Sequence, residues 1–446
     1  MPDLEQFGYN EELKRTLTTR DLVIFGMIFM VPIAPYSVFG FVWKDSKGMV
    51  PLAYLIGLVG MFFTAMSYAA MSRAFPIAGS VYSYAQRGLH EIAGFFSGWL
   101  ILLDYILVPA LLYIVSAIAL RPLFPATPEW AWLLGFIAFN AVVNLIGIQF
   151  TARVNLYLLV MELVTLALFV VLGVHALYSG HGAGGLTLRP VYDPSVFSIA
   201  TVAGATSIAV LSFLGFDGIS TLAEESGGDH NSVGRATLVS LVLVGTLFIV
   251  QTWIATDLAR GMRFAAPETA FYEISERAGG PWLRQITIGA VVIASGIANA
   301  MVAQAAVSRV LFAMARDGKL PATLAKIHPR FKTPYVSTLV VACVSLIVGV
   351  LFATRLDDLS RIVNFGALSG FLLLHLSVIN HYFIRQRSGD WLRHLLFPLA
   401  GLAVIAYVIY EMDKAAKIMG ACWIACGIIY YLVLTLVVKK PIALDI

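Results

Sequence analysis

Three carboxylates lie in stretches of sequence that otherwise hold almost only apolar residues. Asp104 lies in Leu-Leu-Asp-Tyr-Ile-Leu, Glu162 in Val-Met-Glu-Leu-Val, and Asp217 in Phe-Leu-Gly-Phe-Asp-Gly. A charged side chain at the centre of a bilayer costs about 2.5–3.5 kcal/mol on insertion scales, so each such residue indicates a function. No Lys or Arg lies comparably deep, and Arg309, the nearest, is toward the basic end of its segment. Buried carboxylates without a buried Lys or Arg beside them favour a cation or a proton, rather than an anion, as the transported species.

Asp217 is the candidate partner of a substrate ammonium because it lies between Gly215 and Gly218, which tolerate a helix break. The alternative is a structural carboxylate that accepts hydrogen bonds from the N–H groups of the break. Asp104 and Tyr105 could bind the other end of a diamine, since an ammonium pairs with a carboxylate or an aromatic ring. For Asp104 the alternative is a hydrogen bond between helices. One of two neighbouring carboxylates could also exchange protons at ordinary pH.

The segments that hold these acids indicate a helical membrane protein. Of 446 residues, 59% are hydrophobic and 13% are charged, whereas a soluble protein carries roughly 25% charged residues. Apolar runs of about 18 or more residues recur, and each can cross a ~30 Å hydrocarbon core as a helix. They are continuously apolar rather than alternating, which excludes barrel strands. We expect 12 spans, at 22–42, 50–73, 94–120, 130–149, 153–177, 199–223, 236–258, 283–312, 336–353, 362–384, 395–410 and 415–437.

The connections predict one membrane domain, residues 1–446, because none is long enough for a separate soluble unit. The charged leader that contains Glu11 and Lys14 precedes a first span without a cleavage site, so that span is no removable signal peptide. With the N-terminus in the cytoplasm, Lys and Arg are more numerous on the inner side. This excess comes mainly from one basic group: Arg309, Arg316, Lys319, Lys326, Arg330 and Lys332. We expect the inner cell membrane, with both termini cytoplasmic.

Two spans are interrupted in similar ways. The first holds Pro32 and Pro35 in mid-span, and the sixth holds Gly215 and Gly218. Proline removes a backbone donor and glycine permits non-helical dihedral angles. Breaks in corresponding places of two halves indicate an inverted-repeat transporter with its site at the bilayer midplane. Repeat one would cover about 22–177 and repeat two about 199–384, with spans 11 and 12 at about 395–437. The alternative is simple kinks and close packing.

Aromatic residues flank both breaks. Tyr36, Phe213 and Phe216 could stack on an alkyl chain or an ammonium, or they could pack in the core. The cysteines Cys343, Cys422 and Cys426 are interpreted as buried apolar residues, since no His or carboxylate clusters with them to hold a metal.

The chain resembles the amino acid–polyamine–organocation (APC) superfamily, and within it the putrescine-importer-like permeases. The matching stretches are Phe75-Pro-Ile-Ala-Gly-Ser-Val-Tyr-Ser-Tyr-Ala85, Gly98-Trp-Leu-Ile-Leu-Leu-Asp-Tyr105, Ser212-Phe-Leu-Gly-Phe-Asp217, Ser308-Arg-Val-Leu-Phe-Ala-Met-Ala-Arg-Asp-Gly-Lys-Leu-Pro321 and Asn364-Phe-Gly-Ala-Leu368. The resemblance implies an all-α, five-plus-five inverted-repeat (LeuT-like) fold with spans 1 and 6 broken. It also implies alternating access, with substrate between those spans and with spans 3, 8 and 10 closing the cavity.

The resemblance bears on individual residues. The span-6 acid of polyamine-transporting relatives matches Asp217, and a position implicated in substrate recognition matches Tyr105. Amino-acid carriers of the superfamily usually have a glycine-rich break in span 1 that holds the substrate carboxylate, whereas this chain has Met30-Val-Pro-Ile-Ala-Pro-Tyr36. Proton-coupled relatives often carry a lysine near Glu162, where sodium-coupled cousins have a sodium site. Glu162 is therefore the candidate coupling residue, with a structural hydrogen bond to a neighbouring span as the alternative.

We therefore expect a secondary transporter that imports a small cationic amine such as putrescine, coupled to protons. The alternatives are a neutral or cationic amino-acid permease of the same fold and a non-transporting sensor. The candidate substrate-binding residues are Asp217, Phe213, Gly215, Phe216, Asp104, Tyr105, Pro32, Pro35 and Tyr36. The expected partners are the amine or amino acid, protons and the bilayer, with no cofactor, metal or nucleic acid. No phosphate-binding loop indicates ATP drive, and no nucleophile or zinc motif indicates an enzyme.

Overall fold

The computed structural model describes residues 17–77, 79–146, 152–229 and 231–437, and these residues form helices without a β-strand. The charged leader before Leu17 and the tail after Val437 lie outside them. The α-helices are α1 (Thr19–Met30), α2 (Pro35–Asp45), α3 (Val50–Ala74), α4 (Ser80–Gly88), α5 (Glu91–Leu120), α6 (Glu129–Ile146), α7 (Ala152–Tyr178), α8 (Ile199–Ala209), α9 (Ser232–Leu258), α10 (Ala270–Gly279), α11 (Pro281–Val291), α12 (Ala300–Arg316), α13 (Tyr335–Phe352), α14 (Leu356–Val378), α15 (Phe397–Glu411) and α16 (Lys414–Leu432).

The helices confirm the predicted number of spans. Among the described residues, 11 helices are long and apolar enough to cross a bilayer, and some of them consist of consecutive helical segments. The bent pair α1 and α2, taken as one span, raises the number to 12. Helices α4 and α10 were not predicted, because at 9 and 10 residues they are too short to cross and lie in the connections.

The first span breaks where the prolines predict it. Helix α1 begins with a capping box between Thr18 and Asp21 and ends at Met30. Helix α2 begins at Pro35, whose missing N–H is not needed in a first turn. The two helices meet at 53°.

The sixth span breaks at Gly215. Helix α8 gives way to two 3-10 segments, Val210–Phe213 and Phe216–Glu225. Gly215 between them has φ 114°, a conformation that other residues rarely adopt. A Cβ at Gly215 would lie only 2.7 Å from the carbonyl oxygen of Phe29, so the two breaks touch where they cross.

Helix α5 runs antiparallel to the eighth span, which consists of α11, a π-helix (Val292–Asn299) and α12. Gly98 and Met314 touch near one end of this seam, and Ser116 and Gly296 touch near the other. Helix α6 contacts the π-helix through Asn140, whose side-chain amide donates a hydrogen bond to the carbonyl of Gly296 at 2.9 Å.

The cysteines correct one expectation. Cys343, Cys422 and Cys426 are exposed rather than buried. They lie on α13 and α16, peripheral spans that are only 28% and 11% buried within the protein over their most apolar stretch. An apolar residue of a membrane protein can face lipid as well as the core.

Candidate functional site

A cavity of about 70 Å³ lies between the two broken spans, α5 and the eighth span. Its wall is mostly apolar, and no Lys or Arg of the described residues lines it. The polar residues of the wall are Ser37, Asp104, Tyr105, Ser212, Ser295 and Asn299. Such a small number of polar groups in an apolar wall is typical of a site for a small ligand.

The tenth span, which contains α14, contributes no described residue to this wall, although the resemblance implied that it would help to close the cavity. Helix α14 instead packs behind α5, where a Cβ at Gly366 would lie 2.8 Å from the backbone nitrogen of Asp104. The close approach of the two backbones leaves α5 as the inner layer.

Asp217 lies directly behind the wall. It is 1% exposed, and its Oδ2 accepts a hydrogen bond from the Tyr105 hydroxyl at 2.5 Å. Its Oδ1 accepts a hydrogen bond from the backbone N–H of Gly215 at 3.2 Å, the kind of contact that the structural alternative predicts. Tyr105 and Gly215 both line the cavity, whereas Asp217 itself does not. Its carboxylate therefore acts on the cavity through its two donors.

Among the described residues, no Lys or Arg pairs with Asp217. The ion pairs among the described residues join other carboxylates, such as Glu225 with Arg309 at 3.6 Å and Asp45 with Arg361 at 2.8 Å. The only side chain that donates to Asp217 there is that of Tyr105. A buried carboxylate with neutral donors alone remains available to an incoming cation or proton.

Asp104 lies on the cavity wall. It is 2% exposed, and its Oδ1 has no hydrogen-bond partner among the described residues. The interhelical hydrogen bond proposed as an alternative is not formed by this atom. An unsatisfied buried acceptor is costly, which is expected where a ligand completes it.

The aromatic candidates lie outside the cavity wall. Tyr36 stacks on Phe271 with ring centroids 3.8 Å apart, Phe213 packs edge-on against Phe248, and Phe216 packs against Tyr68. These contacts correspond to the alternative of core packing.

The two prolines shape the break rather than the wall. The carbonyl of Pro32 accepts a hydrogen bond from the Gln251 side chain at 2.9 Å, and Pro35 starts α2. Their contribution to the site is the unwound backbone between α1 and α2.

Glu162 on α7 is fully buried, and neither carboxylate oxygen has a partner among the described residues. It does not line the cavity. The structural hydrogen bond considered as an alternative is therefore not made by any residue that the structure describes.

The sequence analysis did not name Ser37 and Ser212 of the cavity wall as site candidates, and it also missed two wall residues of the eighth span, Ser295 and Asn299. Ser295 and Asn299 belong to the π-helix of the eighth span, and the Oδ1 of Asn299 is buried with no partner among the residues that the structure describes. The signal was present as Ser295-Gly-Ile-Ala-Asn299, a group of small and polar residues within an apolar run. Short π-helical turns often occur at functional sites.

Comparison with known proteins gives consistent matches over nearly the whole chain. The family model for amino acid permeases matches residues 45–438. The low-affinity putrescine importer PlaP of Escherichia coli (strain K12) is 31% identical, over 97% of this chain and 96% of its own length. The branched-chain amino acid permease BcaP of Bacillus subtilis (strain 168) is 26% identical, over 94% and 93%. The methylthioribose transporter of the same organism is 24% identical, over 95% and 94%.

Proposed function

The chain belongs to the amino acid permease family, and from that premise we propose that it imports a small cationic amine by alternating access, driven by protons. As a member of the APC superfamily, it is a multi-pass membrane transporter and not an enzyme. It has the APC fold that the resemblance implied, five-plus-five with spans 1 and 6 broken. The boundaries of the two repeats, the inner membrane and the cytoplasmic termini remain predictions.

The observation that carries the proposal is the excess of hydrogen-bond acceptors at the cavity. Asp104 presents a carboxylate oxygen that has no partner in the described part of the chain. Tyr105 lines the cavity and gives its only hydroxyl proton to Asp217, so its oxygen has lone pairs but no proton left for a cargo. With no base in the wall, such a set of groups complements a cargo that supplies both positive charge and N–H donors.

The break in span 1 supports an amine without a carboxylate. The N–H of Val31 donates to Ile28 at 3.2 Å and that of Ala34 to Val31 at 2.7 Å, so these donors are already used inside the break. Pro32 and Pro35 have no N–H. A substrate carboxylate would find few free donors there.

The same break leaves acceptors free. The carbonyls of Phe29 and Met30 end α1 and receive no hydrogen bond from the described residues. Orphan carbonyls at membrane depth are tolerated where they line a cavity or meet a ligand. Both residues line the cavity, which again favours an N–H donor as cargo.

Proton coupling is assigned to Glu162. It is a buried carboxylate, and among the described residues neither a cation nor a hydrogen-bond donor contacts it, so its charge is costly and a proton can neutralise it. Helix α7 packs against both α1 and the π-helix of the eighth span. A change of charge on α7 can thereby act on two walls of the cavity.

Uptake into proteoliposomes with an acid exterior tests the proposal. We expect accumulation of labelled putrescine, inhibition by other amines, and weak or no inhibition by neutral amino acids. Transport of α-amino acids alone would instead favour an amino-acid permease, as BcaP is named. Binding of amines without accumulation under the gradient would favour a sensor.

A further inference from the structure

We propose that the cavity takes an extended linear amine longer than a four-carbon diamine, and that Asn299 receives its end farther from Asp104. This inference rests on the proposed function and names the cargo more narrowly. It follows from the register of α5 against the eighth span and from the unpartnered acceptors on each.

The register is fixed by two contacts. Gly98 faces Met314 and Ser116 faces Gly296, and the two contacts lie the same number of residues apart on both helices. The spans therefore run antiparallel and remain in step along the seam.

The two acceptors lie far apart on this seam. By the same register Asn299 is level with Tyr113, nine residues beyond Asp104 on α5. At the rise of an α-helix, this separates Asp104 and Asn299 by about 14 Å along the seam. Helical side chains tilt toward the N-terminus of their own helix, and the two helices point in opposite directions, so both side chains lean outward. The acceptors therefore do not approach each other.

The wall between them is apolar. Val108, Leu111 and Leu112 of α5 line it, with Ala303 of the eighth span opposite. This wall complements methylene groups and offers no partner to a charge. The seam is thus complementary to a linear diamine, because it has a hydrogen-bond acceptor at each end and an apolar stretch between them.

Asn299 has the features of a ligand contact. It is 7% exposed, lines the cavity, and its Oδ1 has no partner among the described residues. The π-helix that carries it is held by Asn140, which donates to Gly296. This support from outside the cavity keeps Asn299 in place without using its own hydrogen bonds.

The length of the cargo follows from the distances. Because both side chains lean outward, the acceptors are about 14 Å apart or slightly more. If each terminal nitrogen lies about 2.9 Å from its acceptor, the nitrogens of a bridging amine are about 8 Å apart or slightly more. Standard bond lengths place the nitrogens of a four-carbon diamine only about 6 Å apart when it is extended. A diamine of five or six carbons, or a triamine, can bridge the two acceptors.

The test is competition against labelled putrescine bound to the purified transporter in detergent, with α,ω-diamines of three to eight carbons. Linear monoamines of the same lengths measure the contribution of the chain alone. Each buried methylene should improve both series about fourfold. The diamines should gain a further fivefold or more over the monoamines only from five carbons upward, where the second nitrogen reaches Asn299.

Variants at Asn299 identify the far end. Asn299→Leu should remove this extra gain, and Asn299→Asp should increase it about tenfold, because a carboxylate pairs more strongly with an ammonium than an amide does. Asn144→Leu is the matched control, since Asn144 also contacts the eighth span, at Met301 and Gln304, but does not line the cavity. It should keep the wild-type profile.

The outcomes separate the two proposals. A diamine optimum at four carbons, or an unchanged profile in both Asn299 variants, would overturn the inference about length and leave the amine transporter standing. If Asn299→Leu does not fold, the wild-type series and Asn299→Asp still decide. Failure of every amine to bind the wild-type protein would refute the proposed function itself.

Discussion

The hydroxyl of Tyr105 donates a hydrogen bond of 2.5 Å to the carboxylate of Asp217, across the interface between α5 and the break of the sixth span. Tyr105 lines the cavity and Asp217 lies behind it. We therefore propose that a cation in the cavity interacts with the phenol of Tyr105, which this carboxylate polarises. Under the proposed alternating access, this arrangement would link cargo binding to the contact between α5 and the broken sixth span.

Removing the hydroxyl should weaken cargo binding. Tyr105→Phe removes the hydroxyl oxygen that would accept a hydrogen bond from the ammonium of the cargo. A hydrogen bond to a charged group is worth about 1.5–3 kcal/mol. Loss of that interaction corresponds to a rise in the KM for putrescine of roughly 10- to 150-fold. Uptake at several substrate concentrations measures it. An unchanged KM would show that the phenol does not contact the cargo.

Neutralising the acid should abolish amine transport without loss of expression. Asp217→Asn keeps an oxygen that can accept from Tyr105 and Gly215, so the fold should be retained, but it removes the charge that a cation needs. Gel filtration and putrescine uptake measure the two properties. Asp229→Asn is the control, since Asp229 lies in a connection and pairs with Arg235 at 2.8 Å. Wild-type kinetics in Asp217→Asn would remove this residue from the site.

Glu162 should carry the response to the proton gradient. In Glu162→Gln the side chain remains neutral at every pH, so uptake should lose most of its dependence on an acid exterior while exchange of amine for amine continues. Uptake at a series of external pH values, with the internal pH fixed, measures the effect. A pH dependence equal to that of the wild type would return Glu162 to a structural role.

An ion pair crosses the end of the bundle where α2 terminates. Arg361 of α14 donates to Asp45 at 2.8 Å and also to Asp357 at 2.9 Å. The pair ties half of the broken first span to span 10. We expect Asp45→Asn to favour opening at this end by about 1 kcal/mol, or roughly fivefold in the population of open molecules.

Thiol labelling measures that opening. A cysteine at Ser37, a cavity residue, should react about fivefold faster with a membrane-impermeant reagent after Asp45→Asn. The exposed Cys343, Cys422 and Cys426 must first be replaced by serine. The control is Asp358→Asn, an exposed acid in the first turn of α14. Equal rates in the two variants would show that the ion pair does not hold the cavity closed.

Much of the fold was predictable because it depends on local properties of the chain. Long apolar runs specify membrane spans whatever they pack against, and Pro35 marks the start of α2 because its ring fixes φ and removes an N–H. The exposed cysteines were not predictable in this way. In a bilayer the same apolar sequence suits a helix facing lipid and one facing the core, so hydrophobicity does not tell which side is buried.

The sequence by itself determined that this protein spans a membrane, that its first and sixth spans break, and that Asp104, Glu162 and Asp217 lie at membrane depth. Chain composition and the stereochemistry of proline and glycine are sufficient for those conclusions. Only the tertiary structure decided that Tyr105 reaches Asp217, 112 residues away, and that Tyr36, Phe213 and Phe216 pack outside the cavity. It also brought Asn299 to the wall. These relationships depend on the rotation and register of packed helices, which no local property of the chain specifies.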